Sequence, residues 1–146
     1  MKKIIVTLFA VLTIGIAGSL ANEERDVDPR ILSAFQKEFS FAQNVKWQIK
    51  GKFTQVNFSV NDQGFIAWYN SDAELVSTAR NLLYMQLPLS VIKTLEKDFA
   101  DASFSGYVEI TRNDETLYQI QAERKNKKLL LQLSPGGNVM MVKRVK

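Results

Sequence analysis

The chain has 146 residues, with 19 lysines and arginines against 15 aspartates and glutamates, which gives a formal net charge of +4. Such a small excess does not indicate a nucleic-acid-binding protein. The sequence contains neither histidine nor cysteine. Their absence excludes Ser-His-Asp and Cys-His nucleophile systems, imidazole bases and histidine-ligated zinc. We therefore expect a non-catalytic protein that uses no cofactor and no metal.

Residues 1–21 are predicted to be a signal peptide that is cleaved after Ala21. Lys2 and Lys3 form its basic start, and residues 4–18 are almost entirely apolar or small. The alternative is an uncleaved N-terminal anchor, although the apolar run is short for a membrane span. No later segment is apolar enough to cross a bilayer, and the lack of cysteine excludes a lipoprotein anchor. We expect the mature protein in the periplasm or outside the cell, with no stable membrane span.

The first element of the mature chain is predicted to be a helix that starts at Asp28 and Pro29. Aspartate suits the N-cap because its carboxylate accepts a backbone N–H, and proline suits the first helical position because its missing N–H is not needed there. Ile31, Phe35 and Phe39 recur at a spacing of four and predict one apolar stripe. We assign this stripe to core packing, and a partner-binding face is the alternative.

From residue 45 the apolar period changes to two, which predicts strands. The first half carries predicted strands at residues 45–49, 53–60, 65–70 and about 74–78. Residues 79–87 are ambiguous and are assigned to the crossover. A second helix is predicted from Pro88 or Ser90 to near Phe99, followed by strands at residues 107–111, 117–123, 128–133 and 139–144.

The two halves repeat one pattern. The run at residues 31–39 recurs at residues 91–99, an offset of 60, whereas the third strands align at an offset of 64. The second half therefore carries four extra residues. Strand alternation places one of them before its first strand, which pairs Trp47 with Val108, and the other three in the hairpin at Asn113.

These patterns predict an α+β fold made of two tandem α-β-β-β-β repeats. We expect one continuous antiparallel sheet with both helices packed on one face and the other face open. The predicted organisation is a flexible N-terminal tail at residues 22–28 and a single domain at residues 29–146. Its repeats span about residues 29–80 and 88–146.

The order of short motifs resembles the PepSY-like family, whose members are also described as beta-lactamase-inhibitor-like proteins. The motifs are a helix ending in Phe39, the strand Asn44-Val45-Lys46-Trp47, Gly51-Lys52-Phe53 with Val56 and Phe58, the aromatic strand at residues 65–69, and Leu87-Pro88 before Val91. One departure is Ala73, where the family pattern has glycine. The resemblance implies an exported, non-catalytic tandem-repeat protein, similar in fold to a secreted inhibitor that grips its target with a concave sheet.

Strand alternation places five amides, two aromatic residues and one glutamate on the sheet face opposite the helices. The set is Gln55, Asn57, Trp68, Tyr107, Glu109, Gln119, Gln121 and Gln132. Aromatic residues among uncharged polar groups are typical of protein-binding patches. The sequence thus predicts a protein-binding module, with an inhibitor-like protein as one version, and another envelope or extracellular protein as its partner. The alternative reading of this set is an ordinary solvated sheet face.

A second candidate surface is the basic C-terminal hairpin. Residues 124–146 contain no acidic residue, and their basic cluster is Arg124, Lys125, Lys127, Lys128, Lys143 and Arg144, with Lys146 behind them. This cluster supports the alternative function, an envelope-associated structural protein that binds an anionic polymer or an acidic partner. A solvated hairpin with a frayed tail would produce the same pattern.

Carboxylates offer little further chemistry. Asp62, Asp72 and Asp114 lie in predicted turns, where aspartate is a common turn former. The loop from Asn61 to Gly64 lacks the following acids that a calcium loop needs. We expect plain hairpins at these positions.

Overall fold

The computed structural model describes residues 24–146, so the predicted signal peptide lies outside the described residues. Within this range the chain forms two α-helices and eight strands. The helices are α1 (Pro29–Glu38) and α2 (Leu89–Asp98), and short 3-10 turns occupy Glu24–Asp26 and Tyr84–Gln86. The strands are β1 (Gln43–Lys50), β2 (Phe53–Val60), β3 (Gln63–Tyr69), β4 (Leu75–Leu82), β5 (Ser103–Arg112), β6 (Glu115–Arg124), β7 (Lys127–Leu133) and β8 (Val139–Val145).

All eight strands form one antiparallel sheet in which strands consecutive in the chain are also neighbours in space, from β1 at one edge to β8 at the other. Helix α1 precedes β1–β4 and helix α2 precedes β5–β8, so the chain is built from two α-β-β-β-β units. The structure confirms the predicted α+β fold class with its open antiparallel sheet. No helix in the described part of the chain is long and apolar enough to cross a membrane.

Helix α1 begins at the predicted cap. The side chain of Asp28 accepts a hydrogen bond from the backbone N–H of Arg30 at 2.8 Å, and Pro29 occupies the first helical position. Hydrogen bonds from the Arg30 guanidinium, which also forms an ion pair with Asp28, hold the pKa of this carboxyl below its ordinary value. The cap therefore combines a backbone bond with a charge pair.

Each helix covers a separate core on the same side of the sheet. Phe35 of α1 packs edge-on against Trp47 and Phe58, with ring centroids 5.1 Å apart in both pairs. Val91 and Leu95 of α2 are fully buried. The first core contains Val27, Ile31, Phe35, Trp47, Val56, Phe58, Ala67 and Tyr69, and the second contains Leu82, Leu87, Val91, Leu95, Phe99, Tyr118, Ile120, Ala122, Leu131 and Leu133. The apolar stripes of both helices are thus core elements.

Two segments differ from the expectation drawn from the sequence. Strand β4 continues to Leu82, because residues 79–82, assigned to the crossover, pair with β5. In the segment expected to be a tail, Val27 is 3% exposed and belongs to the first core. Ala73, at the departure from the family pattern, has a φ of 60°, a conformation that favours glycine.

All four extra residues of the second half lie in one hairpin. Strands β5 and β6 have ten residues each, whereas β1 and β2 have eight, and both hairpins turn through two residues. When the turn of a hairpin keeps its length, each residue added to one strand needs a partner on the other, so β5 and β6 are each two residues longer than β1 and β2. The prediction of one extra residue before β5 and three in the hairpin is therefore wrong. Since Trp47 lies opposite Val56 and Tyr107 opposite Ile120, the structural equivalent of Trp47 is Tyr107.

Candidate functional site

The candidate site lies on the open face, which we define as the sheet face opposite the two helices. Trp68 of β3 occupies the middle of this face in the first half, between Gln55 of β2 and Ser77 of β4. Asn57 lies on the same face as Gln55, two residues along β2. In the second half the open face presents Gln119 and Gln121 of β6 and Gln132 of β7. Alternation in the sequence therefore assigns Trp68 and these five amides to the correct face.

Tyr107 and Glu109 lie on the opposite face, and the prediction that places them on the open face is wrong. Tyr107 pairs with Ile120 and packs into the core under α2. Glu109 lies opposite Arg80 of β4 and Tyr118 of β6. The cause is the misplaced extra residue, because a shift of one position reverses the face of every side chain in a strand.

On strand β5 the residues that lie on the open face are Val108 and Ile110, and they form an apolar patch there with Ala79. We call this patch the seam cluster, because it spans β4 and β5, the strands that join the two halves; its members are Ala79, Val108 and Ile110, with Trp68 and Leu117 packed against them. Ile110 is 1% exposed and Val108 is 8% exposed, although both helices lie on the other face. Side chains of the open face therefore close over one another.

The sequence pattern alone does not identify the seam cluster, because it places the apolar residues of β5 in the core under a helix. The seam cluster could have been predicted from the rule that extra residues in a hairpin with a fixed turn are divided equally between its two strands. With all four extra residues placed between Trp47 and the second strand of the repeat, Tyr107 aligns with Trp47. Val108 and Ile110 then fall on the open face.

The amides beside the seam cluster are held in place by one another. Gln55 is 4% exposed; its amide oxygen accepts a hydrogen bond from the Lys50 ammonium at 2.8 Å, and its amide nitrogen donates to Asn57 at 2.8 Å. Gln119 is 5% exposed and accepts a bond from Gln132 at 3.3 Å. The open face thus combines an apolar centre with polar flanks whose side chains are already ordered.

The helix side of the same seam is polar. Arg80 forms an ion pair with Glu109 at 2.7 Å, and the Tyr118 hydroxyl donates to Glu109 at 3.0 Å. The bond to Glu109 holds the pKa of the Arg80 guanidinium above its ordinary value. Burial raises the pKa of Tyr118, and the bond to Glu109 adds to this effect. Arg80 and Glu109 belong to neither helix core. At the seam, therefore, the helix side of the sheet is polar and the open face is apolar, which is the reverse of the arrangement beneath the helices.

The predicted basic cluster gathers at one corner of the sheet. Lys125 lies in the turn between β6 and β7, and Lys128 lies opposite Val145 near the end of β8. Arg124 forms an ion pair with Asp101 at 2.8 Å, and its hydrogen bond lowers the pKa of that carboxyl. The described residues contain no ion pair for the other members, which are Lys125, Lys127, Lys128, Lys143 and Arg144.

The acidic turn residues show no convergence. Asp62 and Asp114 each occupy a two-residue turn with a positive φ, 63° and 61°, which is the ordinary role of aspartate in a hairpin. No group of three or more potential metal ligands is found among residues 24–146.

The fold is shared with solved proteins from Bacteroides species. A DUF2874 family protein from Bacteroides uniformis matches with a TM-score of 0.77 at 14% identity, over 82% of this chain and 90% of that one. A BLIP-like protein from Bacteroides fragilis matches with a TM-score of 0.74 at 22% identity, over 81% and 86%. A Bacteroides eggerthii protein, whose description proposes a periplasmic location, matches with a TM-score of 0.76 at 18% identity, over 82% and 89%.

At these identities the comparisons establish the fold, and they confirm the structural resemblance inferred from the sequence motifs. No family model matches the sequence, and no curated protein matches it. The chain is therefore defined by its architecture, a tandem α-β-β-β-β sheet that it shares with these solved proteins.

Proposed function

We propose that this chain is an exported, non-catalytic module that binds another protein through the open face. The observation that carries the proposal is the seam cluster with its partly exposed residues Trp68 and Leu117, surrounded by ordered amides. The predicted signal peptide and the periplasmic description of one fold neighbour support export. The name of another neighbour, BLIP-like, supports a protein as the partner.

The physical properties of the open face suit protein binding. A tryptophan above a packed apolar base offers a large contact area, and it loses little conformational freedom when a partner covers it. The paired amides Gln55–Asn57 and Gln119–Gln132 supply donors and acceptors with little ordering cost. On the edge strands β1 and β8 the open face carries Lys46, Lys50 and Lys143, and Arg112 and Glu115 face each other at the turn end of the β5–β6 hairpin. The charged side chains thus surround an uncharged centre, which loses its water at low cost.

A variant pair tests the site. Trp68→Ala removes the aromatic ring from the open face, whereas Phe41→Ala removes an 83% exposed ring from the loop after α1. With the wild-type protein as bait in an envelope extract, we expect Trp68→Ala to lose the captured partner and Phe41→Ala to retain it. Thermal unfolding checks that both variants fold, and equal capture by both would contradict the assignment to the open face.

A second substitution guards against a folding defect in Trp68→Ala. Gln132→Lys places a charge on the polar flank of the open face without removing a core side chain. We expect this variant to fold like the wild type and to bind the partner at least about tenfold more weakly, since an unpaired interfacial charge costs about 1.4 kcal/mol or more. Undiminished binding would exclude the second half of the face from the interface.

The inhibitor version of the proposal has its own test. Nitrocefin hydrolysis by a panel of beta-lactamases is measured with and without the protein, and with the Trp68→Ala variant as control. Inhibition by the wild type that the variant loses would identify a beta-lactamase as the partner. Unchanged hydrolysis at micromolar protein would remove beta-lactamases from the candidates without affecting the open-face proposal.

A further inference from the structure

Strand β8 ends the sheet, and its outer edge has no neighbouring strand among the described residues. Three of its apolar side chains are well exposed: Val139 at 40%, Met140 at 64% and Val142 at 51%. An unpaired edge of this kind presents backbone donors and acceptors to any incoming strand. The repeat architecture indicates what such a strand must carry.

Strand β8 is the structural equivalent of β4. Arg80 of β4 lies opposite Phe65, and Arg144 of β8 lies opposite Leu129, the equivalent of Phe65. Both strands also have a register irregularity near their starts, at the corresponding place beside Tyr69 and Leu133. The two fourth strands therefore present their edges in the same way.

The internal partner of β4 is β5, and this junction shows how such an edge is covered. Arg80 faces Glu109 across the junction, and the two side chains form an ion pair at 2.7 Å. At the equivalent position of β8, Arg144 is exposed and has no acidic partner within ion-pair distance in residues 24–146. Lys143 adds a second exposed charge on the other face of the strand.

We propose that β8 binds an extended acidic strand of a partner protein, which adds to the sheet as β5 adds to β4 and places a carboxylate opposite Arg144. Main-chain hydrogen bonds would supply affinity in this mode, and the charge pair would select the partner and fix its register. The inference does not rest on the proposed function, because Arg144 lies on the helix side of the sheet and the β8 edge is remote from the seam cluster.

A second copy of the chain does not suit this edge. In a copy docked head to tail, β1 would take the place of β5. By repeat equivalence, Ile49 would then face Arg144, and Lys50 would face Lys143. The ion pair would be missing, and two lysines would lie directly opposite each other, which is unfavourable. This head-to-tail arrangement lacks the ion pair that joins β4 to β5, and we assign the partner strand to an acidic segment of another protein.

The chain supplies its own probe. A synthetic peptide with the sequence of β5, residues 103–112, carries glutamate at position 109, and a glutamate introduced at position 110 (Ile110→Glu) would face Lys143. Titration of this peptide into the uniformly 15N-labelled protein should shift the backbone amide resonances of β8, residues 139–145. The same peptide with glutamine at both positions is the matched control, and it should bind at least about fivefold more weakly.

A charge swap then isolates Arg144. The variant Arg144→Glu should weaken binding by about fivefold or more, and a peptide with lysine at position 109 should restore it. Lys127→Glu, an equal charge change at the first residue of β7, should have a smaller effect. The amide spectra of both variants report whether they fold.

Three results would overturn the proposal. One is the absence of shifts in β8 at millimolar peptide. Another is an equal loss of binding in Lys127→Glu and Arg144→Glu. The third is equally tight binding of poly-glutamate with shifts spread over residues 124–128, which would make this corner a site for anionic polymers only.

Discussion

Tyr69 and Tyr118 belong to cross-strand pairs that occupy equivalent places in the two halves, but each tyrosine is on a different strand of its pair. In the first half Thr54 faces Tyr69, and in the second half Tyr118 faces Leu133. Both tyrosines are buried, but their hydroxyl groups end in different surroundings. That of Tyr118 donates to Glu109 at the seam, whereas that of Tyr69 has no hydrogen-bond partner among the described residues.

Replacing each tyrosine by phenylalanine should therefore change stability in opposite directions. Tyr69→Phe removes a buried hydroxyl that is unpaired, and it should raise the free energy of unfolding by about 1 kcal/mol. Tyr118→Phe removes a bond to a carboxylate and should lower it by about 1 kcal/mol or slightly more. Urea unfolding measures both, and a destabilising Tyr69→Phe would reveal a partner for that hydroxyl.

Alkaline pH should unfold the protein through its tyrosines. Burial raises the pKa of Tyr69, Tyr84, Tyr107 and Tyr118, which are all four tyrosines of the chain. In the unfolded chain they ionise near pH 10, so stability is fully present below about pH 10 and is lost as the pH rises further. We expect tyrosinate absorbance to appear together with the loss of circular dichroism. Ionisation near pH 10 with an unchanged fold would contradict this.

At the scale of elements, local chemistry fixes most of the fold. The sequence predicts β2 at its observed bounds, residues 53–60, and α1 from its cap, because Asp28 and Pro29 act through local hydrogen bonding and sterics. A period of two also identifies which side chains of a strand share a face. It does not say which face meets a helix, and that choice is a tertiary property.

The seam shows where this limit matters. Val108 and Ile110 are apolar and Glu109 is charged, so hydrophobicity assigns the first two to the helix side. Between the two helices the sheet has no helix above it, and the polar pair Arg80–Glu109 occupies that side instead. Trp68 and the amides of the candidate site were predictable from alternation, whereas the apolar cluster beside them depended on helix placement.

The loop between β7 and β8 docks against the start of α2. Helix α2 has no capping side chain at Pro88. The Ser90 hydroxyl donates to the Pro135 carbonyl, and the Thr94 hydroxyl donates to the Gly137 carbonyl at 2.7 Å, so these two bonds join the helix to the loop. This contact requires glycine at position 137, whose φ is +82° and whose absent side chain would meet the backbone oxygen of Ser90.

Gly137→Ala should therefore lower the free energy of unfolding by about 2–4 kcal/mol, because it adds both a clash and an unfavourable φ. Gly136→Ala is the matched control. An added Cβ there would lie 3.7 Å from its nearest neighbours, at ordinary contact distance, so its effect should stay within about 0.5 kcal/mol. Thermal and urea unfolding of the two variants measure the difference, and equal stability would contradict the docked loop.

At the scale of the whole molecule, two separate helix cores are joined through one pair of strands. The β4–β5 junction is covered on both faces, by the Arg80–Glu109 pair on the helix side and by the seam cluster on the open face. Because both sides of the junction are filled, the halves should unfold as one cooperative unit rather than as two independent repeats.

Ile110→Ala tests this cooperativity. The side chain is 1% exposed, so its truncation should lower the free energy of unfolding by about 3 kcal/mol, whereas Ile49→Ala at a 42% exposed position should cost less than about 1 kcal/mol. Native-state hydrogen exchange then reads each half separately, through the amides of β2–β3 and of β6–β7. If the seam couples the halves, Ile110→Ala reduces protection equally in both pairs of strands, since each opens only with the whole molecule. Loss of protection in one half alone would show that the repeats are independent folding units that share a sheet.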